Sequence, residues 1–180
     1  FADDTKMVSA INPSSAIEDS LLLQKDIDSA FNWSDTWQMQ LNPSKCKVMH
    51  LGKHNPNHNY TVPSYDGNTR LPLESTTHER DLGVTISNNL KPSLQCNKAA
   101  AKASSIYGML KKSFHSRKLQ IWKLLYTTYI RPHLEFAVSV WNPYQKVDIS
   151  VLESVQRKVT KTVTNLRHLP YEGRCKAFGI

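Results

Sequence analysis

Two adjacent aspartates, Asp3 and Asp4, stand inside the opening stretch Phe1-Ala2-Asp3-Asp4-Thr5-Lys6. Paired carboxylates suit phosphoryl transfer, in which two divalent metals about 3.5–4 Å apart each stabilise one of the reacting oxygens. Neighbouring side chains on a regular strand point to opposite faces, so both carboxylates reach one site only at a turn, such as a hairpin tip. An Asp-Asp pair is equally at home in a solvated loop, and the six residues alone leave both readings open. A second titratable set is His50, His54 and His58, at a regular spacing of four. On a helix that spacing would make a metal-binding face, but Gly52 and Pro56 interrupt it, so the segment is expected to be a polar loop.

The elements that must position these groups follow from periodicity. Thr5–Ala10 alternates loosely and is expected to be a strand returning from the Asp-Asp turn. Asn12-Pro13-Ser14-Ser15 breaks it, Ser14 or Ser15 can cap a helix, and Glu18 and Asp19 suit its positive end. The helix is expected over Ala16–Met39, with Ile17, Leu21, Ile27, Phe31 or Ala30, Ser34 and Trp37 as its inner stripe and Gln24, Lys25, Asp28 and Asp35 wet. Lys45–Leu51 alternates as a strand and closes at Gly52. Tyr60–Ser64 and Thr69–Leu73 flank Asp66-Gly67, a hairpin turn signal. Thr76–Ile86 is expected to be one further strand with Leu82, Val84 and Ile86 on one face.

The second half is helical. Ser93–Lys112 carries Leu94, Ala99, Ala103, Ile106 and Leu110 as an inner stripe, with Lys98 and Lys102 on another face. Ser116–Ile130 is expected to stop at Arg131-Pro132, and Pro132 to start a short helix, His133–Trp141. Asp148 or Ser150 caps a last long helix, with Ile149, Leu152, Val155, Val159, Val163 and Leu166 inward and Arg157, Lys158 and Lys161 outward. The pattern is α+β, with a boundary near residue 90: 1–90 mixes strands with one helix, and 91–180 is a basic bundle of four helices.

Charge supports the division. Residues 1–90 hold 7 Lys/Arg and 11 Asp/Glu, whereas residues 91–180 hold 16 and 4, so a net of −4 faces a net of +12. Such a basic half points to a polyanionic partner, with nucleic acid ahead of a generic basic surface or a membrane face. No apolar run approaches the length of a bilayer span, and no membrane partner is expected. The three cysteines, Cys46, Cys96 and Cys175, are widely spaced and form no CxxC pair, which indicates reduced thiols in an intracellular protein. The chain opens within a motif and is read as a piece of a longer protein.

In this order the segments resemble the C-terminal part of the reverse transcriptase of a non-LTR (LINE-type) retrotransposon, near the jockey-like and chicken-repeat-like clades. Phe1-Ala2-Asp3-Asp4-Thr5-Lys6 resembles the catalytic turn, and Trp37 with Leu41-Asn42-Pro43-Ser44-Lys45-Cys46-Lys47-Val48-Met49 the segment that follows it. Asp81-Leu82-Gly83-Val84-Thr85-Ile86 resembles the strand near the primer grip. Leu125–Phe136, Val140-Trp141-Asn142-Pro143 and Leu152–Arg157 resemble the thumb, and Leu169–Ile180 the segment after it.

The resemblance implies a partial polymerase palm of antiparallel strands plus a helix, followed by an α-helical thumb bundle. It implies an RNA-directed DNA polymerase that adds dNTPs to a DNA primer on an RNA template with two Mg2+ (or Mn2+) ions, and a nuclear location. Asp3 and Asp4 match the metal-ligating turn. Lys45 matches a proposed acid for the leaving pyrophosphate, with Lys47 an equal claimant. Leu82, Gly83 and Val84 match the region that seats the primer end. Lys98, Lys102, Lys111, Lys112, Arg157, Lys158 and Lys161 are the expected contacts to the backbone of an RNA–DNA duplex, while Trp122, Tyr126, Tyr129 and Trp141 are expected in the thumb core. The chain departs from the family at Gly173 and Cys175, and a further metal-binding aspartate of such enzymes would lie upstream of Phe1. A non-catalytic nucleic-acid-binding remnant of an inactive element is the rival reading.

Overall fold

The computed structural model describes residues 5–64 and 69–180. Asp3, Asp4 and the Asp66-Gly67 turn therefore lie outside the described residues. The chain is mixed α+β and divides into two compact units. One holds residues 1–79 and 88–90, and the other holds 80–87 and 91–180.

In the first unit, helix α1 (Ala16–Thr36) begins where Asn12–Ser15 turn the chain. Asp19 reaches back from its first turn to accept bonds from the Asn12 backbone N–H at 2.8 Å and the Ser15 hydroxyl at 3.0 Å. The backbone N–H of Asn12, then the Ser15 hydroxyl, hold this carboxyl below its ordinary range. The helix ends in a Schellman turn: Met39 N bonds Ser34 O at 2.9 Å and Gln38 N bonds Asp35 O at 3.2 Å, with Gln38 at φ 56°.

The buried stripe of α1 is the expected one only in part. Ser20, Phe31 and Ser34 are buried and Ile27 half-buried, while Ile17, Leu21 and Trp37 are exposed. α1 packs on strand β2 (Thr61–Pro63). Gln24, expected to be wet, exchanges two hydrogen bonds with the Thr61 backbone, at 2.8 and 2.9 Å. It meets that strand edge from the same side of the helix as Ile17 and Phe31, each seven residues away and so about 20° round.

The strands are shorter than alternation suggested, and among the described residues they form three two-stranded sheets. Thr5–Ala10 is not a strand. Strand β1 is only Lys47–Val48, because Pro43–Lys45 forms a 3-10 turn capped by the Asn42 side chain. β2 and β3 (Arg70–Pro72) pair antiparallel with Val62 opposite Leu71, as the flanks of the Asp66-Gly67 signal required. β1 pairs parallel with β4 (Glu74–Ser75), which corrects the expectation of antiparallel strands alone. A parallel pair needs a long connection, and residues 49–73, with the β2–β3 hairpin inside them, supply it.

The expected single strand Thr76–Ile86 is two. β5 (His78–Asp81) and β6 (Val84–Ser87) are separated by Leu82 at φ 44° and Gly83 at φ 90°. Two successive positive φ angles are what a tight hairpin turn uses, and they reverse the chain inside the presumed strand.

The second unit is built on α2 (Ser93–Ser113) and α6 (Lys146–Thr160), which make the most extensive helix contact. Ala99, Ala100 and Ala103 let the helices approach, and Val155, Val159 and Val163 fill the seam. Helix α3 (Leu119–Leu125) passes through a π-helical turn, Tyr126–Ile130, into α4 (Arg131–Glu135). Pro132 therefore does not stop the helix. The widened turn takes up a residue just before the proline, which then sits in the first turn of α4, where its missing N–H costs nothing. The break comes at Ala137, φ 51°, before α5 (Val138–Trp141).

α6 ends at Thr160, earlier than its stripe implied. Val163 is buried beyond it, and Leu166 closes a 3-10 turn before α7 (Tyr171–Phe178). Trp122, Tyr126 and Trp141 are core, as expected, whereas Tyr129 is exposed. Burial, together with the charge of Glu135, pushes the Tyr126 phenol up to about 12.

Candidate nucleic-acid interface

The basic residues of the second unit are sorted by the helices that carry them. At about 100° per residue, Lys98, Lys102 and Lys112 share one side of α2, and Lys111 lies about 100–180° round from them. Lys98 donates to the Thr85 hydroxyl at 3.1 Å, and Thr85 N is itself held by the buried Gln95 amide at 2.9 Å.

Lys111 instead faces a cavity of ≈ 340 Å³ lined by Tyr107, Lys111, Arg117, Lys158, Lys161, Thr162 and Arg167. Five cations meet there and no carboxylate lines the walls. Lys111, Lys158 and Lys161 were anticipated from sequence; Arg117, Arg167, Tyr107 and Thr162 were not. A usable signal existed. Arg117 and Arg167 fall just beyond α2 and α6, where unpaired carbonyls and the negative end of the helix dipole attract cations. Arg117 accordingly donates to Phe114 O and also to Lys111 O at 3.4 Å, and its guanidinium lies 5.4 Å from the Trp122 ring centroid. Arg167 Nε donates to Lys161 O at 3.2 Å.

The cavity floor is polar and fixed. The Tyr107 and Thr162 hydroxyls are 2.8 Å apart, and Thr162 Oγ1 lies 3.1 Å from Lys158 O. The Tyr107 ring sits edge-on to Trp122, with the Lys111 ammonium 6.0 Å from its centroid. Arg157 is turned elsewhere: it pairs with Glu153 at 3.0 Å and lies 3.9 Å over the Tyr171 ring.

Few acids of this unit oppose the cations. The unit carries 17 Lys/Arg and 5 Asp/Glu. Glu153 pairs with Arg157 and Glu135 with Arg131 at 2.7 Å, which raises the Arg131 pKa. Asp148 is buried and accepts from the Ser93 hydroxyl at 2.8 Å.

The first unit separates the two lysine claimants. Lys47 is salt-bridged to Glu79 at 3.1 Å and Glu74 at 3.8 Å. Its bond to Glu79 holds the ammonium above its ordinary range and the Glu79 carboxyl below. An acid that gives its proton up to a reacting oxygen is poorly served by such partners. Lys45 lies exposed on the 3-10 turn with no ion pair among the described residues.

His50 and His58 pack against the buried Tyr60 ring, at 6.2 and 5.0 Å between centroids. Among the described residues no group of His, Cys, Asp or Glu is placed to hold a metal ion. Four carboxylates of the first unit are engaged: Asp19 in the α1 cap, Asp28 by Arg70 at 2.6 Å, and Glu74 and Glu79 by Lys47. Asp3 and Asp4, the expected metal ligands, lie outside the described residues. Leu82 and Gly83 form the β5–β6 turn, with the Leu82 side chain exposed and Val84 buried behind it. Among the described residues no helix is long and apolar enough to cross a membrane.

No protein-family model, curated protein or solved structure matches the chain.

Proposed function

We propose that this chain is part of an RNA-directed DNA polymerase of the non-LTR retrotransposon type, in which residues 91–180 act as a thumb that holds an RNA–DNA duplex by its backbone. The observation that carries the proposal is the segregation of charge: a compact helical unit of net charge +12 presents cations that its few acids leave unpaired. Phosphate contact by lysine and arginine supplies affinity without reading sequence. The ordered sequence blocks supply the polymerase half of the reading. Asp3 and Asp4 are the residues that would hold Mg2+, a hard cation suited to carboxylate oxygens. When bound, such ions stabilise the attacking and leaving oxygens of nucleotidyl transfer. This chain's own part is to hold the primer–template duplex through its basic helices, with Lys45 an exposed ammonium that has no ion pair among the described residues.

The test is binding of an RNA–DNA duplex by the 180-residue chain across salt, followed by dNTP incorporation on an extended primer–template by the longer protein that carries the upstream aspartate. Affinity should fall steeply between about 50 and 200 mM salt. Binding that ignores salt would overturn the thumb reading. Incorporation that Asp3→Asn abolishes, with binding retained, supports the polymerase. Tight binding without incorporation supports the rival, a nucleic-acid-binding remnant without catalysis.

A further inference from the structure

We infer that the groove between the C-terminal turns of α2 and α6 is the track for the phosphates of one nucleic-acid strand, and that the Lys98–Lys102–Lys112 side of α2 is not. The inference rests on the nucleic-acid reading above and narrows it to one surface. Charge alone does not choose, since both surfaces carry lysines. Geometry does.

The groove gathers Lys111, Arg117, Lys158, Lys161 and Arg167 around one concavity with no acidic residue in its walls. Backbone carbonyls at the ends of α2 and α6 hold both guanidiniums, so little freedom is lost when an anion arrives. The hydroxyl pair Tyr107–Thr162 fixes the floor. The Tyr107 ring meets Trp122 edge-on, with the Lys111 ammonium 6.0 Å from its centroid. The contacts available are charge and hydrogen bonding, which match phosphate. A cavity of ≈ 340 Å³ takes a short run of phosphates from one strand. On the other side of α2 the Lys98 ammonium is already bonded to Thr85, and Lys98, Lys102 and Lys112 lie along a convex helix surface.

The bland alternative is that these cations only offset two helix dipoles and cap their carbonyls. That role affects stability and leaves binding untouched.

Two charge-matched triple variants of the full chain separate the surfaces: Lys111→Gln/Lys158→Gln/Lys161→Gln in the groove, and Lys98→Gln/Lys102→Gln/Lys112→Gln on the far side. Fluorescence anisotropy of a labelled single-stranded oligonucleotide and of an RNA–DNA duplex, over a salt series, reads both, with circular dichroism confirming the fold of each variant. The groove variant should lower the slope of log K against log salt by about 2 on the single strand, at about 0.7 per lost phosphate contact. The far-side variant should bind within about twofold of wild type. Equal losses from both variants, or a larger loss from the far side, overturn the groove assignment and leave the nucleic-acid reading standing. No binding by the wild-type chain overturns both.

Discussion

The Tyr107 phenol and the Thr162 hydroxyl share a hydrogen bond of 2.8 Å that joins α2 to the segment following α6. Either hydroxyl can be the donor, because the Lys158 carbonyl is within reach of both, at 3.4 Å from Tyr107 and 3.1 Å from Thr162. Tyr107→Phe keeps the ring against Trp122 and removes the phenol's bonds to Thr162 and to Lys158 O. Unfolding in urea should show a loss of about 0.5–1.5 kcal/mol with an unchanged slope. A midpoint equal to wild type would mean that the bond adds nothing to the helix seam.

The β5–β6 turn predicts opposite outcomes from adjacent substitutions. Leu82 is 84 % exposed and held at φ 44°, a conformation that suits asparagine better than leucine. Leu82→Asn should raise stability by about 0.5–1 kcal/mol, since the turn relaxes and no packed side chain is lost. Gly83 sits at φ 90°, and a Cβ there would stand 3.0 Å from Phe136 Cε1. Gly83→Ala should therefore cost about 1–3 kcal/mol, from backbone strain and displacement of the ring. Melting curves of the two variants should move in opposite directions; a shared direction would contradict the turn geometry.

What could be read in advance divides along the same physical lines. The long helices were legible because twenty residues of 3.6-residue periodicity, capped by Asn12–Ser15 or broken by proline, have few alternatives. α2 keeps Ala99, Ala103 and Leu110 inward as the pattern required. The short strands were not legible. Alternation over Thr76–Ile86 fits one strand as well as two, and a Leu-Gly turn lacks the Asn-Gly or Asp-Gly signal that marked the β2–β3 hairpin. The inner face of α1 was legible in part: Phe31 and Ser34 are buried as the pattern required, while periodicity gave no sign that the neighbouring strand edge needed the Gln24 amide. At the basic groove, the lysines at the ends of α2 and α6 were legible from charge alone. Arg117 and Arg167 were not, because they lie in loops, and only the fold shows that both loops return to one cavity.

Stability should decline in alkali before the ordinary lysines titrate. Burial first, then the nearby Asp148 carboxylate, pushes the Cys96 thiol up to about 11, and burial pushes the Tyr126 phenol up to about 12. Both groups bind their protons more tightly folded than unfolded. Their contribution is complete below the unfolded values and is lost as pH rises through the folded ones. For Cys96 the window runs from the ordinary 9.0 to about 11. Cys96→Ala should flatten the pH dependence of the unfolding free energy in that window, and Tyr126→Phe should flatten it above. In the same folded chain at pH 8, iodoacetamide should leave the fully buried Cys96 unmodified, as read by mass spectrometry. Rapid labelling of Cys96, or an unchanged alkaline slope in the alanine variant, would contradict this.

Arg174 carries a charge into the second unit with no carboxylate paired to it among the described residues. The residue is 9 % exposed. Its Nη1 donates to Leu169 O at 2.7 Å, its Nε to the Thr160 hydroxyl at 3.3 Å, and the guanidinium lies 5.8 Å from the Tyr171 ring centroid. The side chain thus bolts α7 to the end of α6 and to the loop before α7, the loop that also carries Arg167. Removing it takes the guanidinium donor from the part-buried Leu169 carbonyl and loosens α7, whose Phe178 lies fully buried in the core. Arg174→Ala should cost about 2–3 kcal/mol, the range for lost bonds to a charged donor. Arg174→Lys keeps the charge but cannot span two acceptors with a planar fork, so it should recover less than half of that loss. Urea unfolding of the three chains reads the order directly. A lysine variant as stable as wild type would show that α7 needs only a cation there, and that the guanidinium fork is not what holds it.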